Sequence, residues 1–513
     1  MDDEARRATT RAGRSRETRC VLPYYALLFG FFPALSLLSR NIGDARFHEI
    51  GIPLAVIVAA AALLWGLFAP ILRDRHKIAL LVAAFWIPFH TYGSFADALK
   101  AALRDPEASP LPVLIVAALL AIAGLALFVW LLRTKRDLAG LSGALNRVGV
   151  FLVIVPLAAF VFAKQRQTAP APSPGGQAVR ELTPEALAAL PDIYYIIPDS
   201  YPRADVLLET FGLDNTPFLD ALRERGFHVV EDGYSNYPKT QMSLASSMNL
   251  DYLDPERLQA EWNEALPDFV AQIWDNKVMD FLAGYGYEFP TFSSGVAATE
   301  IDGGRFVKPD TFLLTELQQV YIGMTPLRSP VERLARSGEA DRVLFVLDEL
   351  GKIRRGDRPM FVFAHMMAPH MPHTFDAEGN PRAEVPPYIE GFRDATICLN
   401  ERFLLMADRI LARQPNSVII IQGDHGCRSD WQSTAGTDLI PWAGTREAYI
   451  RDQTGILNTI YFPDGDYGAF YPGITPVNTF RIVFNKYFGT EHALLPDHTY
   501  MSFQGSKEIV QAR

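Results

Sequence analysis

Residues 417–428 read "SVIIIQGDHGCR", a run of β-branched residues that stops abruptly at Gly-Asp-His-Gly. β-Branched side chains suit a pleated strand, and an unbroken apolar run indicates a strand buried on both faces. Two potential metal ligands side by side at its end pose a choice. Asp424 and His425 form either a polar turn, with the aspartate capping the next helix, or a metal-binding corner. Gly423 and Gly426 permit close approach of backbone to a ligand, which favours the corner.

Working outward, other apolar runs end the same way. "DIYYIIPDS" (192–200) is stopped by Pro198 and followed by Asp199, and "RPMFVFAHMMAPH" (358–370) delivers His365 and His370, with His373 just beyond. Between these runs, "TPFLDALRERGFHVV" (216–230) and "NKVMDFLAGYGYEFPTF" (276–292) pass from helical spacing through glycine to a new apolar stretch, and "GILNTIYFP" (455–463) supplies a later strand. Apolar strands alternating with amphipathic helices predict an α/β domain with a mostly parallel sheet covered on both faces. Ligands in such sheets sit at the carboxyl ends of the strands. Asp199, the His365/His370/His373 group and Asp424-His425 all belong to that edge.

The chain has 513 residues, which implies two or three units. Its 49% hydrophobic content with mean hydropathy of +0.06 averages a very apolar part with an ordinary one. Residues 1–165 carry 18 Lys and Arg against 11 Asp and Glu, leaving 30 against 47 for the remainder. An acidic C-terminal part argues against nucleic acid as a partner, which needs basic surface. Cys20, Cys398 and Cys427 are too few and too scattered for a disulfide framework or a cysteine zinc site.

Five apolar stretches stand out, at 21–39, 50–72, 78–94, 110–132 and 148–163, and most approach the ~20 residues needed to span a bilayer. The third and fifth are short, and the third holds His90. A cleaved signal peptide at the first is disfavoured, because further apolar spans follow and no small-residue cleavage site is evident. Basic residues concentrate in the leader (Arg6, Arg7, Arg11, Arg14, Arg16 and Arg19), in "RDRHK" (73–77) and in the loop holding Arg133, Lys135, Arg136 and Arg147. The positive-inside tendency puts those segments on the cytoplasmic side and everything after residue 165 outside it. The expected organisation is a basic cytoplasmic leader (1–20), a helical transmembrane bundle (21–165), a Pro/Ala/Gly-rich linker (166–190) and an extracytoplasmic α/β domain (191–513).

Thr240 lies in "NYPKTQMSLASSMNLDYL" (236–253), where a loop meets a helical stretch. An N-cap threonine is the plain explanation. A hydroxyl at a helix N-terminus is also set among free amides and the positive end of the dipole, an environment suited to phosphate. It becomes a nucleophile only with a base or metal beside it. Two aspartates and a histidine suit one divalent ion, Zn²⁺ or Mn²⁺ ahead of Mg²⁺ or Ca²⁺.

The ordered set of Asp199 after a strand, a hydroxyl some forty residues on, a His-Pro segment and then "DHG" resembles the alkaline phosphatase superfamily, within it the sulfatase-like branch. "IIPDSYPRADVL", "GFHVVEDGYSNYPKT", "SLASSMNLDYL", "FAHMMAPHMPHTFDAEGN" and "ITPVNTFRIVFNKYFG" carry the resemblance over about 190–500. Membrane-anchored members, the lipoteichoic acid synthases and phosphoethanolamine transferases, likewise place a catalytic domain after about five helices. The resemblance implies Asp199, Thr240, Asp424 and His425 as ligands of one metal, Thr240 as nucleophile, and His370 as a phosphate-contacting or proton-donating histidine with His365 behind it. His373, Lys239 and Arg428 are candidate substrate contacts, a surface salt bridge being the alternative for Arg428; Ser243 is a fallback nucleophile. Two departures stand out. Asp199-Ser200 replaces the paired acids of true sulfatases, and "KTQMSLA" lacks the Pro and Arg of their C-x-P-x-R type motif, which argues against arylsulfatase activity. The function implied is a phospho-group transferase or phosphodiesterase in the bacterial cytoplasmic membrane. It would take a phospholipid head group to a lipid or lipid-linked glycan on the periplasmic or extracellular side. The alternatives are a sulfate or phosphate monoester hydrolase, and a catalytically silent envelope assembly or binding protein.

Overall fold

The computed structural model describes residues 21–41, 47–103, 111–167, 183–261, 267–301, 303–309, 314–382, 384–427, 445–502 and 509–513. The expected leader, most of the expected linker and Arg428 lie outside them.

Each of the five apolar stretches lies in a helix: Tyr25–Arg40, Gly51–Leu72, Arg75–Leu103, Leu111–Arg133 and Ala139–Gln167. Among the described residues three helices are long and apolar enough to cross a membrane, namely Phe47–Leu72, Arg75–Leu99 and Ala139–Phe162, whereas Tyr25–Arg40 and Ala117–Arg133 are shorter apolar helices. The expectation is about five spans, with the third and fifth short; three meet the length and composition of a span, and the third and fifth stretches lie in two of them. The two shortest apolar runs sit in the two longest helices, because those helices continue into polar sequence such as His90-Thr91-Tyr92. Leu63, Leu67, Ile87, Phe151, Ile154 and Phe162 stand exposed on the outside of the bundle. A continuous apolar exterior of this kind is stable in lipid and costly in water, so the chain is a membrane protein.

The α/β domain is built on a seven-stranded sheet of order β2-β7-β6-β1-β5-β3-β4. Its strands are β1 Asp192–Pro198, β2 His228–Val229, β3 Phe289–Phe292, β4 Gly304–Val307, β5 Phe361–Met366, β6 Ser417–Gln422 and β7 Asn458–Tyr461. Pairings β6–β1–β5–β3–β4 are parallel, but β7 runs antiparallel to both β6 and β2. The sheet is therefore mixed and mostly parallel. Its central strands are apolar without interruption because alternate residues enter two different cores. Ile193, Tyr195 and Ile197 of β1 pack with Phe361, Phe363, Val418 and Ile420 on one face. Tyr194 and Ile196 pack with Val362, Ala364, Ile419 and Ile421 on the other.

The two parts meet through the helix Glu316–Gly323. Tyr321 hydroxyl lies 2.9 Å from His90 Nε2, Gln318 Nε2 donates to the Glu49 carbonyl at 2.9 Å, and Arg328 pairs with Asp97 at 2.6 Å. Gly93 donates its amide to the Met324 carbonyl at 3.0 Å; a Cβ there would lie 2.1 Å from the Gly323 carbonyl oxygen. At the opposite end of the bundle Lys77 donates to the Thr134 carbonyl at 2.7 Å. The α/β domain thus docks at the end away from the two basic loops.

Candidate metal centre

Three adjacent parallel strands end at one edge and carry the site. Register aligns Ile197 of β1 with His365 of β5 and Ile196 of β1 with Ile421 of β6. Asp199 and Asp424 therefore emerge side by side just past their strands, with His365 inside β5 beside them. His365 belongs to the strand, while His370 and His373 lie in the loop that the prolines forecast. Gly423 and Gly426 have a different use from the one expected. A Cβ would lie 2.5 Å from the Tyr201 carbonyl oxygen at Gly423 and 2.4 Å from that of Asp452 at Gly426. The glycines admit neighbouring chain, which pins the Asp-His corner, and this close approach is to protein backbone.

Asp199, Asp424 and His425 are buried and offer ligand atoms within 4.8 Å of one another. His425 Nδ1 lies 2.8 Å from the Gly426 carbonyl oxygen. A carbonyl only accepts, so Nδ1 holds the proton and Nε2 presents its lone pair. That lone pair faces three oxygens: Thr240 Oγ1 at 3.4 Å, Asp199 Oδ1 at 3.5 Å and Asp424 Oδ2 at 3.6 Å. Metal–ligand bonds of about 2.0–2.1 Å in a tetrahedron put donor atoms ~3.3 Å apart. The spacing fits, and Asp424 Oδ2 makes no hydrogen bond although it is buried. The Thr240 hydroxyl can give Nε2 one proton, but the Asp199 and Asp424 oxygens bring only lone pairs to the same point, which repel unless a cation sits there. The residues present therefore fit a metal ion.

Thr240 is the first residue of the helix Thr240–Asn249; Lys239 occupies the N-cap position without a side-chain cap bond. The threonine is thus not the helix cap, and its hydroxyl is aimed at His425. The helix is held against the sheet by Tyr195 hydroxyl, 3.2 Å from Ser247 Oγ and 3.2 Å from Gln422 Oε1. Ser243 is buried one turn further on.

Sequence reasoning missed two supporting residues. Ser200 has φ of +63°, the left-handed region. Its amide donates to Asp424 Oδ1 at 3.0 Å and its hydroxyl to Asp199 Oδ1 at 2.9 Å, tying the two carboxylates together. The second is Thr299, whose Oγ1 lies 2.9 Å from His365 Nδ1 and donates to Ser294 Oγ at 2.8 Å. The hydroxyl proton being so used, His365 Nδ1–H donates to Thr299. Its Nε2 then faces Asp199 Oδ2 at 3.4 Å and Asp424 Oδ2 at 4.0 Å.

Electrostatics follow from this packing. Burial would raise Asp199, but the imidazoles of His370, His365 and His425 hold its carboxyl well below the usual carboxylate range. Burial would lower His365, yet the Asp199 and Asp424 carboxylates lift it above an ordinary imidazole. His370 is half-buried, its amide donating to the Asp199 carbonyl at 3.2 Å. His373 is buried, tilted against the Tyr388 ring and edge-on to Phe392.

Neither a protein-family model nor a curated protein matches the chain. Solved structures do. The C-terminal periplasmic domain of EptC from Escherichia coli, in a complex with Zn, matches with TM-score 0.40 and 12% identity over 63% of this chain and 93% of that one. The integral membrane phosphoethanolamine transferase EptA from Neisseria meningitidis gives TM-score 0.38 and 13% identity over 91% of this chain and 95% of that one. The lipoteichoic acid synthase LtaP from Listeria monocytogenes gives 0.35 and 14% over 61% and 77%. At these values the likeness carries no argument, and the chemistry is read from the site's own atoms.

Proposed function

We propose that the protein is a membrane-anchored, metal-dependent phospho-group transferase acting on a phospholipid donor outside the cytoplasm. The observation that carries this reading is the convergence of Thr240 Oγ1 and two carboxylate oxygens on His425 Nε2 at 3.4–3.6 Å. Asp199, Thr240, Asp424 and His425 would hold the ion. When bound, it supplies Lewis-acid stabilisation of negative charge developing on the phosphoryl group.

In the first step Thr240 Oγ forms a bond to phosphorus as the P–O bond to the lipid alcohol breaks. The threonine hydroxyl gives up a proton and the leaving alcohol gains one, with His370 or His365 carrying it. An acceptor hydroxyl then attacks phosphorus and releases Thr240, returning the proton. The N-terminal amides of the helix Thr240–Asn249 face the phosphoryl oxygens. Anchoring in the membrane raises the local concentration of a lipid substrate.

The test is release of diacylglycerol from head-group-labelled phospholipid by the full chain in lipid vesicles. Thr240→Ala should lose roughly 10³-fold or more of turnover, the scale of removing a nucleophile. Unchanged turnover would sink the reading, and an equal loss on aryl sulfate or aryl phosphate monoesters alone would move the substrate to the monoester class.

A further inference from the structure

The membrane bundle carries a groove of its own. About 680 Å³ of space lies between the helices Gly51–Leu72, Arg75–Leu103 and Leu111–Arg133, walled by Leu64, Phe68, Phe85, Pro88, Leu120 and Phe128. No polar side chain lines it. Small residues in membrane helices usually let a neighbouring helix approach closely. Gly124 borders this groove, yet among the described residues a Cβ there would meet nothing within 4 Å. Ile87, Leu120 and Leu125 of the lining are exposed, so the groove opens on the surroundings of the bundle. In a bilayer such space is filled, because side chains facing a void lose their dispersion contacts.

Residue spacing fixes its depth. The lining runs from Phe68 back to Leu64 before Arg73, from Leu81 to Pro88 after Arg75, and from Phe128 back to Leu120 before Arg133. At 1.5 Å per residue it lies about 7–20 Å from the helix ends that bear those arginines. That is roughly one leaflet of a ~30 Å hydrocarbon core, on the side away from the α/β domain. The helix ends form one rim, because Lys77 Nζ donates to the Thr134 carbonyl at 2.7 Å and so joins the two basic loops. Beneath the rim the Phe68 and Phe128 ring centroids are 5.4 Å apart. Residues 73–77 and 133–137 hold Arg73, Arg75, Lys77, Arg133, Lys135 and Arg136 against Asp74 and Asp137. Both aspartates cap backbone: Asp74 Oδ1 accepts from the His76 amide at 2.8 Å and Asp137 Oδ1 from the Ala139 amide at 2.9 Å. Arg73, Arg133, Lys135 and Arg136 are exposed. Net positive charge at the end of an apolar groove matches the two halves of an anionic lipid. A second copy of the chain matches it poorly, since in a membrane it would bring an identical basic rim to the same level.

We infer that the groove holds an acyl chain of an anionic glycerophospholipid from the leaflet opposite the α/β domain, with its phosphate at the rim of Arg73, Arg75, Arg133, Lys135 and Arg136. The lipid is a resident of the bundle, a leaflet away from Thr240, and is neither donor nor acceptor in the transfer. The test is native mass spectrometry of the full chain released from detergent micelles, with dioleoyl phosphatidylglycerol and dioleoyl phosphatidylcholine as probes. One phosphatidylglycerol should be retained about tenfold more tightly than phosphatidylcholine. Gly124→Trp, which plugs the groove, should weaken phosphatidylglycerol about tenfold through lost apolar burial. Gly124→Leu is the second variant should Gly124→Trp fail to fold. Arg133→Gln, Lys135→Gln and Arg136→Gln together should bring phosphatidylglycerol down to the phosphatidylcholine level and leave phosphatidylcholine unchanged. Equal retention of the two lipids overturns the proposal, as does phosphatidylglycerol binding that ignores the plug at Gly124. A dimer of the chain that the plug dissociates assigns the groove to a second copy and overturns it as well. Lipid retention is read without turnover, so its outcome is separate from that of Thr240-dependent cleavage.

Discussion

Strand β1 has a buried aspartate at each end, and the two have opposite characters. Asp192, at the amino end, is 2% exposed; its Oδ1 accepts from the Met360 amide at 2.8 Å and lies 3.6 Å from Arg355 Nη1. Burial pushes it up to about 6, against the pull of those two partners. Asp199, at the carboxyl end, is 3% exposed and is pulled down by three histidines that outweigh its burial. Arg355 is in turn anchored on the Leu190 and Leu187 carbonyls at 2.8 Å, so the amino end is a closed structural arrangement. At the carboxyl end Asp424 Oδ2 and His365 Nε2 lack hydrogen bonds. A buried carboxylate does not mark a site by itself. Buried groups whose valences stay open in the protein do.

The sharpest way to break this contrast is to neutralise one end at a time. Asp424→Asn should abolish stoichiometric metal binding and reduce turnover by roughly 10³-fold, the scale of losing charge stabilisation at a reacting centre. The metal-free variant should melt no lower than metal-free wild type, because an unpaired buried charge has been removed. Metal analysis and calorimetry read the two outcomes.

Asp192→Asn should do the reverse, leaving metal content and turnover alone while changing the pH dependence of stability. A carboxyl raised in the fold binds its proton more readily there than in the unfolded chain. Its contribution is full below about pH 4 and is lost as pH rises through about 6. Wild type should lose on the order of 2–3 kcal/mol across that window from this group, the equivalent of a shift of about two units. Denaturant titrations of the asparagine variant, which keeps the acceptor for Met360, should be flatter between those pH values.

Ser200→Ala removes the hydroxyl bound to Asp199 but keeps the amide bound to Asp424. Metal affinity should fall about 10–100-fold, the usual effect of removing an outer partner of a ligand, with little change in melting temperature. The smallest effect belongs to Arg355→Gln, which should cost about 1 kcal/mol of stability through lost carbonyl contacts and leave metal affinity unchanged.

Much of the carboxyl-end cluster was legible in the sequence. "IYYII", "FVFA" and "VIII" are apolar at every position because the sheet is covered on both faces, and each run announces where the chain must leave the core. Asp199, His365, Asp424 and His425 follow from that edge. The direction of β7 was not legible, since "LNTIYF" has the same pattern whether it runs parallel or antiparallel. Ser200 was hidden because its role depends on a left-handed turn that its residue type does not announce. Arg342 and Glu339 sit three apart on a long helix, the spacing of an ordinary exposed ion pair, and only the tertiary fold buries them. The lengths of the membrane helices were obscured for a related reason. His90 and Gly93 interrupt the apolar run while continuing the helix, because they meet the α/β domain rather than lipid.

The central claim is that the cluster activates Thr240. The most direct measurement is peptide mass spectrometry of the full chain, quenched during turnover of a phospholipid carrying an isotope-labelled head group. The account predicts a labelled phospho-adduct on Thr240 that disappears in Asp424→Asn. An adduct on Ser243, or phospholipid turnover with no adduct on this helix, would contradict it.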